Sequence, residues 1–143
     1  MNRKPRTILQ MTLALAFGLL GLIASASPAA AARGPADLAG CPANTLCFYN
    51  DKDFLGHIFT VQAGESIPSL HVYSCPDCNS PKHGAGDGNF GDQMSSWVNN
   101  TSWSYCWYYD INYGRYVNVM PAGQANSWVG KKPQDEASSL RPC

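Results

Sequence analysis

The stretch CFYNDKDFLG, beginning at Cys47, is written again as CWYYDINYGR from Cys106, at an offset of 59 residues held without a gap. Tyr49 maps to Tyr108, Asp51 to Asp110, Asp53 to Asn112 and Phe54 to Tyr113, and farther on Ala63-Gly64 maps to Ala122-Gly123. An internal repeat constrains the fold more than any other feature. One repeat is a supersecondary unit that cannot bury its own apolar face, so a second unit must cover it.

Each repeat also has a second half. DQMSSW (Asp92–Trp97) matches DEASSL (Asp135–Leu140), but at an offset of 43. The first repeat therefore carries 59 − 43 = 16 more residues between Gly64 and Asp92. The excess is SCPDCNSPKHGAGDGNFG, Ser74–Gly91, crowded with Gly and Pro and without an apolar period, so it reads as a loop. A loop longer than about 12–15 residues in a compact domain is usually functional or disordered.

The repeats follow a segment of another kind. Arg3, Lys4 and Arg6 precede the apolar stretch Ile8–Ile23, and the small-residue run SASPAAAARGPA follows it. That is the pattern of a secretory signal peptide, residues 1–32, cleaved after Ala32. The apolar stretch is shorter than the ~20 residues of a membrane-spanning helix. LAGC, Leu38–Cys41, is spelled like a lipid-attachment box, but Arg33, Pro35 and Asp37 separate it from the apolar stretch. Removing residues 1–32 leaves 111 of 143 residues, with 7 basic against 10 acidic side chains, a net charge of −3. We expect a short linker, 33–40, and one domain, 41–143, with repeat one at 41–100 and repeat two at 101–143. Mild acidity without a basic block argues against nucleic acid and, after signal removal, against a membrane. The expected state is a monomer. All six cysteines follow the signal segment. An even count in a short exported chain implies disulfides, which offset a thin core.

The mature chain reads as all-β. LCFYN, HIFTVQ, SSWVNN, SYCWYYD, RYVNVM and NSWVG are short aromatic and β-branched runs separated by Gly, Pro, Asn and Asp. DKDFLG and DINYGR lie between such runs and read as hairpin turns, with Phe54 and Tyr113 folded over them as buried rings. Trp97, Trp103, Trp107, Trp128, Tyr49 and Tyr108 are the candidates for the core and its rim, ahead of an aromatic sugar-binding platform.

Aromatic-x-x-x-x-aromatic-x-Gly followed by Asp-x-x-Ser-Ser, all of it twice, resembles the βγ-crystallin Greek-key repeat. The signal peptide, the opening CPANTLCFYND and NYGRYVNVMPAG resemble the secreted actinobacterial peptidase-inhibitor family typified by the Streptomyces metalloproteinase inhibitor. The resemblance covers Cys41–Cys143. It implies a βγ-crystallin-like sandwich of two four-stranded sheets with one strand exchanged between repeats. One departure stands out: Gly56 of the first hairpin corresponds to Arg115, with Gly114 one place early, so the second hairpin is expected to be distorted.

The available chemistry is limited. His57, His71 and His83 are the only imidazoles, and none sits in a nucleophile motif, so no catalytic residue is assigned. The Ser-Ser pairs follow from the repeat and are expected to cap the hairpin backbones. CPDC with His71 and His83 nearby mimics a zinc ligand set, but export favours a disulfide. The resemblance implies two calcium sites, Asp92 and Ser95 with the loop at Asp110, and Asp135 and Ser138 with the loop at Asp51. The first acidic position is Gly91 in one and Gln134 in the other, so each lacks an oxygen ligand and calcium would be held weakly. No other cofactor is implied. The cysteine spacing alone leaves the pairing open. The resemblance implies Cys41–Cys47 and sets Cys106 and Cys143 on neighbouring strands, leaving Cys75–Cys78 to close a tight turn. The alternative links Cys75 and Cys78 to Cys106 and Cys143.

The resemblance implies a secreted inhibitor of extracellular proteases, with metalloproteases as the expected targets, acting by presenting a rigid loop. Such an inhibitor needs a loop already rigid before binding. Cys75, Pro76, Asp77, Cys78, Lys82 and His83 are the candidate residues, with Asn99–Trp103 as another edge loop. The alternatives are a calcium-binding or structural extracellular module and a small toxin or cell-wall binding module.

Overall fold

The computed structural model describes residues 40–78 and 88–143; the signal segment and the linker up to residue 39 lie outside them. Among the described residues seven strands form two antiparallel sheets. They are β1 (Thr45–Tyr49), β2 (Ile58–Gln62), β3 (Ser96–Asn100), β4 (Tyr105–Tyr108), β5 (Tyr116–Met120), β6 (Ala125–Asn126) and β7 (Ser139–Pro142). The first sheet has the order β2-β1-β3-β6 and the second β5-β4-β7.

The repeats exchange a strand position. β6, from repeat two, pairs with β3 of repeat one through Trp97–Asn126 and Val98–Ala125. Ile67, from repeat one, bridges Leu140 on β7. Two four-stranded sheets were expected, and the second has three strands with Ile67 alone in the fourth position. Pro68 follows Ile67 directly and has no N–H to extend a ladder. NSWVG is not a strand beyond its first residue either. The Asn126 Oδ1 accepts a hydrogen bond from Trp128 N at 3.1 Å, and this side-chain turn ends the pairing. Ser139–Pro142, in turn, is a strand that the aromatic runs do not announce.

Side chains alternate across each strand. Leu46, Phe48, Val61, Trp97, Tyr105, Trp107, Met120 and Leu140 face one another and form the main core with Leu70, Phe90 and Met94. The repeat-equivalent Tyr49 and Tyr108 are buried on the outer faces, at 3% and 7% exposure. Trp103 and Trp128, offered as core or rim, are instead 51% and 44% exposed. One polar joint ties the sheets together. Buried Asn99 donates from Nδ2 to the carbonyls of Trp103 and Met120, both at 2.8 Å, and its Oδ1 accepts from Thr101 N and Oγ1.

Three disulfides join Cys41 to Cys47, Cys75 to Cys78 and Cys106 to Cys143, with Cα separations of 5.9, 5.3 and 5.1 Å. The alternative pairing of Cys75 and Cys78 with Cys106 and Cys143 is thereby excluded. Cys41, bonded to Cys47, has no thiol left for a lipid.

Candidate functional site

The hairpins come first, because they fix the two corners of the molecule. Each has a single 3-10 turn, Lys52–Phe54 or Ile111–Tyr113. Each places two successive residues in the left-handed region: Asp53 and Phe54 at φ 58° and 61°, Asn112 and Tyr113 at φ 54° and 65°. A serine holds each turn. Ser96 Oγ donates to Asp51 O at 2.7 Å and accepts from Phe54 N at 3.1 Å. Ser139 Oγ donates to Asp110 O at 2.5 Å and accepts from Tyr113 N at 3.0 Å. Phe54 lies edge-on to Tyr49 at 5.7 Å, and Tyr113 to Tyr108 at 5.8 Å. Both rings are half-buried rather than buried, because they cover the outer face of a sheet and not the core. The second hairpin is distorted behind its turn, as expected: Arg115 takes a left-handed φ of 45° and the 3-10 turn is kept, but the β4–β5 register shifts between Trp107 and Tyr108, where β1–β2 pairs without a break.

The Asp-x-x-Ser segments pair in an unexpected way. Asp92 N donates to Ala137 O at 2.9 Å and Asp135 N to Met94 O at 3.0 Å, so the segments run antiparallel past each other. That arrangement crosses their side chains. Ser95 Oγ donates to Asp135 Oδ1 at 3.2 Å, and Ser138 Oγ to Asp92 Oδ1 at 2.8 Å. Asp92 therefore sits with Ser138 rather than Ser95, and Asp135 with Ser95 rather than Ser138. Asp51 belongs to the corner of Ser96 and Ser95, Asp110 to that of Ser139 and Ser138.

His71 joins the Asp92 corner. Its Nε2 lies 3.1 Å from Ser138 Oγ and 3.8 Å from Asp92 Oδ2. Ser138 Oγ, which donates to Asp92 Oδ1, thus lies within hydrogen-bond distance of the imidazole as well, and the three side chains form one polar corner. The ring lies on Gly91, where a Cβ would come within 2.2 Å of Nδ1. A carboxylate at position 91 would displace the imidazole. Among the described residues no three His, Cys, Asp or Glu side chains gather in a way that could hold a metal.

The long loop leaves and returns through a narrow neck. Ser74 bridges Asn89, Cys75 N donates to Gly88 O at 2.7 Å, and Phe90 N donates to Tyr73 O at 2.9 Å. Tyr73 and Phe90 both pack on Phe59 of β2, with ring centroids at 4.6 and 5.3 Å. Cys75 and Cys78 are 0% and 2% exposed and belong to the core, while Pro76 and Asp77 between them are exposed. Cys78 N donates to Cys75 O at 3.1 Å, closing the turn inside the disulfide ring. Lys82 and His83 lie outside the described residues. In Asn99–Trp103, the other edge loop, Asn99 and Thr101 are buried and turn their polar groups on the segment itself, while Ser102 and Trp103 are exposed. The clamp was missed in the sequence, although an aromatic on either side of the insert, Tyr73 and Phe90, was its signal.

The model of peptidase inhibitor family I36 matches residues 34–120, well over half of the chain. The chain belongs to this family. The family is one of peptidase inhibitors and not of enzymes. No curated protein matches it. A structure solved in tracing the evolution of the eye-lens βγ-crystallin domain fold is 15% identical, covers 73% of this chain and 90% of its own, and superposes with a TM-score of 0.50. A βγ-crystallin from an archaeon is 27% identical over 71% of this chain and 100% of its own, with a TM-score of 0.48. One from Ciona intestinalis is 21% identical over 69% and 99%, with a TM-score of 0.49. The fold assignment rests on the first of these and on the exchanged strand position; the family's inhibition of peptidases comes from the family match alone. Within the family frame, the neck and its exposed turn are what distinguish repeat one from repeat two. Among the described residues no helix is long and apolar enough to cross a membrane.

Proposed function

We propose that this chain is a secreted inhibitor of extracellular metallopeptidases and that it presents the turn Cys75–Cys78 to the peptidase cleft. The observation that carries this is the contrast inside the turn: Pro76 and Asp77 are exposed while both flanking cysteines are held in the core. A segment fixed at both ends loses little further freedom on binding. Proline fixes one backbone angle, and the disulfide fixes the ends. Three disulfides accord with export to an oxidising compartment. The test is inhibition of a panel of zinc and serine endopeptidases by the mature protein and by a Pro76→Gly/Asp77→Gly variant. Both residues are exposed, so folding should be unaffected. The zinc enzymes should be inhibited, and the variant should be weaker by about tenfold or more. Undiminished inhibition by the variant would move the contact elsewhere. No inhibition by the unaltered protein would favour a structural module.

Calcium is, in this reading, no part of the action. His71 on Gly91 supports this for one corner, and the uncharged Gln134 for the other. A ligand that binds only the native state raises its melting temperature. Millimolar calcium should therefore shift the melting temperature little, and a large shift would reverse this assignment.

A further inference from the structure

The outer faces of the two sheets are equivalent by the repeat but differ in cover. On the first sheet, Tyr49 and Val98 lie under Cys41, Phe54 and Ala125 as a small buried cluster of their own. On the second sheet the equivalents are Tyr108 and Arg141; Tyr113 lies on Tyr108 as Phe54 does on Tyr49, but among the described residues no buried cluster like that around Cys41 forms over them. Arg141 is exposed there, yet its guanidinium is held in place. Its Cζ stands 4.9 Å from the Tyr113 ring and 5.6 Å from the Tyr108 ring, and Nε donates to the Tyr108 hydroxyl at 3.2 Å. Tyr116, 57% exposed, packs edge-on against Tyr108 at 6.1 Å and walls the same face. Among the described residues no carboxylate pairs with Arg141, whereas Arg115 beside it is already occupied by Asp110.

We propose that this face is a docking surface for an acidic segment of a partner protein, with Arg141 receiving a carboxylate. The planar guanidinium, fixed at Nε, leaves its two terminal nitrogens as the fork that matches a carboxylate bidentately. Stacking between two rings has already removed the side-chain freedom that binding would otherwise cost. Tyrosine and arginine are the residue types enriched at the centres of protein contacts. A positive charge that meets no carboxylate among the described residues favours an acidic partner over a neutral one. This site is separate from the Cys75–Cys78 turn, and its failure would leave the inhibitor reading intact.

The probe is a tetraglutamate peptide, titrated into the 15N-labelled mature protein and followed by NMR, with a tetraglutamine amide as control. Saturable shifts are expected at Arg141 Nε–H and at the signals around Tyr113 and Tyr116, and none with tetraglutamine. Arg141→Gln should weaken the binding by about tenfold or more, the size of a charge-assisted contact. It should leave the remaining spectrum in place, because the side chain is exposed. A second variant, Tyr116→Ala, should weaken the binding without removing the charge. The proposal is overturned if tetraglutamate gives no saturable shift, or if Arg141→Gln shifts as the unaltered protein does. It is also overturned if inorganic phosphate at equal ionic strength gives the same shifts at the same affinity, which would mark a bare anion site with no peptide contact.

Discussion

The two hairpins share one turn and reach it by opposite side-chain means, but β1–β2 pairs without a break behind it while β4–β5 slips between Trp107 and Tyr108. In the first, the Asn50 side chain folds inward and its Oδ1 accepts from His57 N at 2.6 Å. It fills the space beside Gly56, where a Cβ would lie 2.0 Å from that oxygen, and Gly56 has φ 78°. In the second, Tyr109 stands where Asn50 would be. Arg115 stacks over its ring at 5.2 Å and forms a two-pronged ion pair with Asp110, at 2.7 and 2.5 Å. What both hairpins share is outside the glycine position: a serine capping the turn, and a backbone bond to the exchanged segment. Asp53 N donates to Ser127 O and Asn112 N to Pro68 O, both at 2.8 Å. The difference teaches that the serine and the neighbouring repeat hold the turn's shape, while the glycine makes room for Asn50 and takes the left-handed backbone; the hairpin without it keeps the turn but not the regular register.

The largest expected effect tests whether the repeats are pinned alike. The Cys106–Cys143 bridge spans 37 positions and the Cys41–Cys47 bridge only 6. If chain entropy dominates, replacing both cysteines of the first pair by alanine should cost about 4 kcal/mol, and of the second about 2 kcal/mol. Chemical denaturation that reversed this order would show that the covered face of repeat one depends on Cys41 for packing more than for chain closure.

A smaller effect is expected from exchanging the hairpin solutions. Gly56→Arg should destabilise by roughly 2–3 kcal/mol, from left-handed backbone and the displaced Asn50 bond. Arg115→Gly should change stability far less, since it relieves the left-handed backbone while removing an exposed ion pair. Equal losses from the two would mean that the hairpins are not held by their serines.

The smallest effect concerns pH. The Arg115 guanidinium, chiefly through its hydrogen bond, holds the Asp110 carboxyl below its ordinary value. A depressed carboxylate stabilises the fold above its unfolded pKa, and the contribution fades as pH falls through the folded value. A carboxyl NMR titration should place Asp110 below the usual aspartate range of about 3.9, and Arg115→Gly should raise it. An unchanged midpoint in that variant would remove the ion pair from the account of the second hairpin.

Much of this was legible in the chain. The offset of 59 marks equivalent positions well past the motif that reveals it: Leu70 N donates to Ser138 O and Val129 N to Ser95 O, the same bond in each repeat. Ser96 and Ser139 were legible as hairpin caps because the Ser-Ser pair recurs. Burial of Trp103 and Trp128 was misread: Trp103 falls in the connection between β3 and β4, and an aromatic in a strand-like run such as NSWVG says nothing about where the strand ends. The Asn126 turn carries Trp128 outward, where Lys52 Nζ lies 4.3 Å over its ring.

By itself the sequence determined an all-β architecture of two equivalent units with one long insert, because periodicity and turn residues act locally and a repeat must be covered by its copy. Only the tertiary structure decided which aspartate meets which serine. That choice depends on two segments 43 residues apart running antiparallel, and nothing in either segment states its direction relative to the other. The same holds for Gly91. Its want of a carboxylate is plain in the chain, but the reason is an imbalance of volume: the His71 ring occupies the space, and only packing across the loop neck brings the two together.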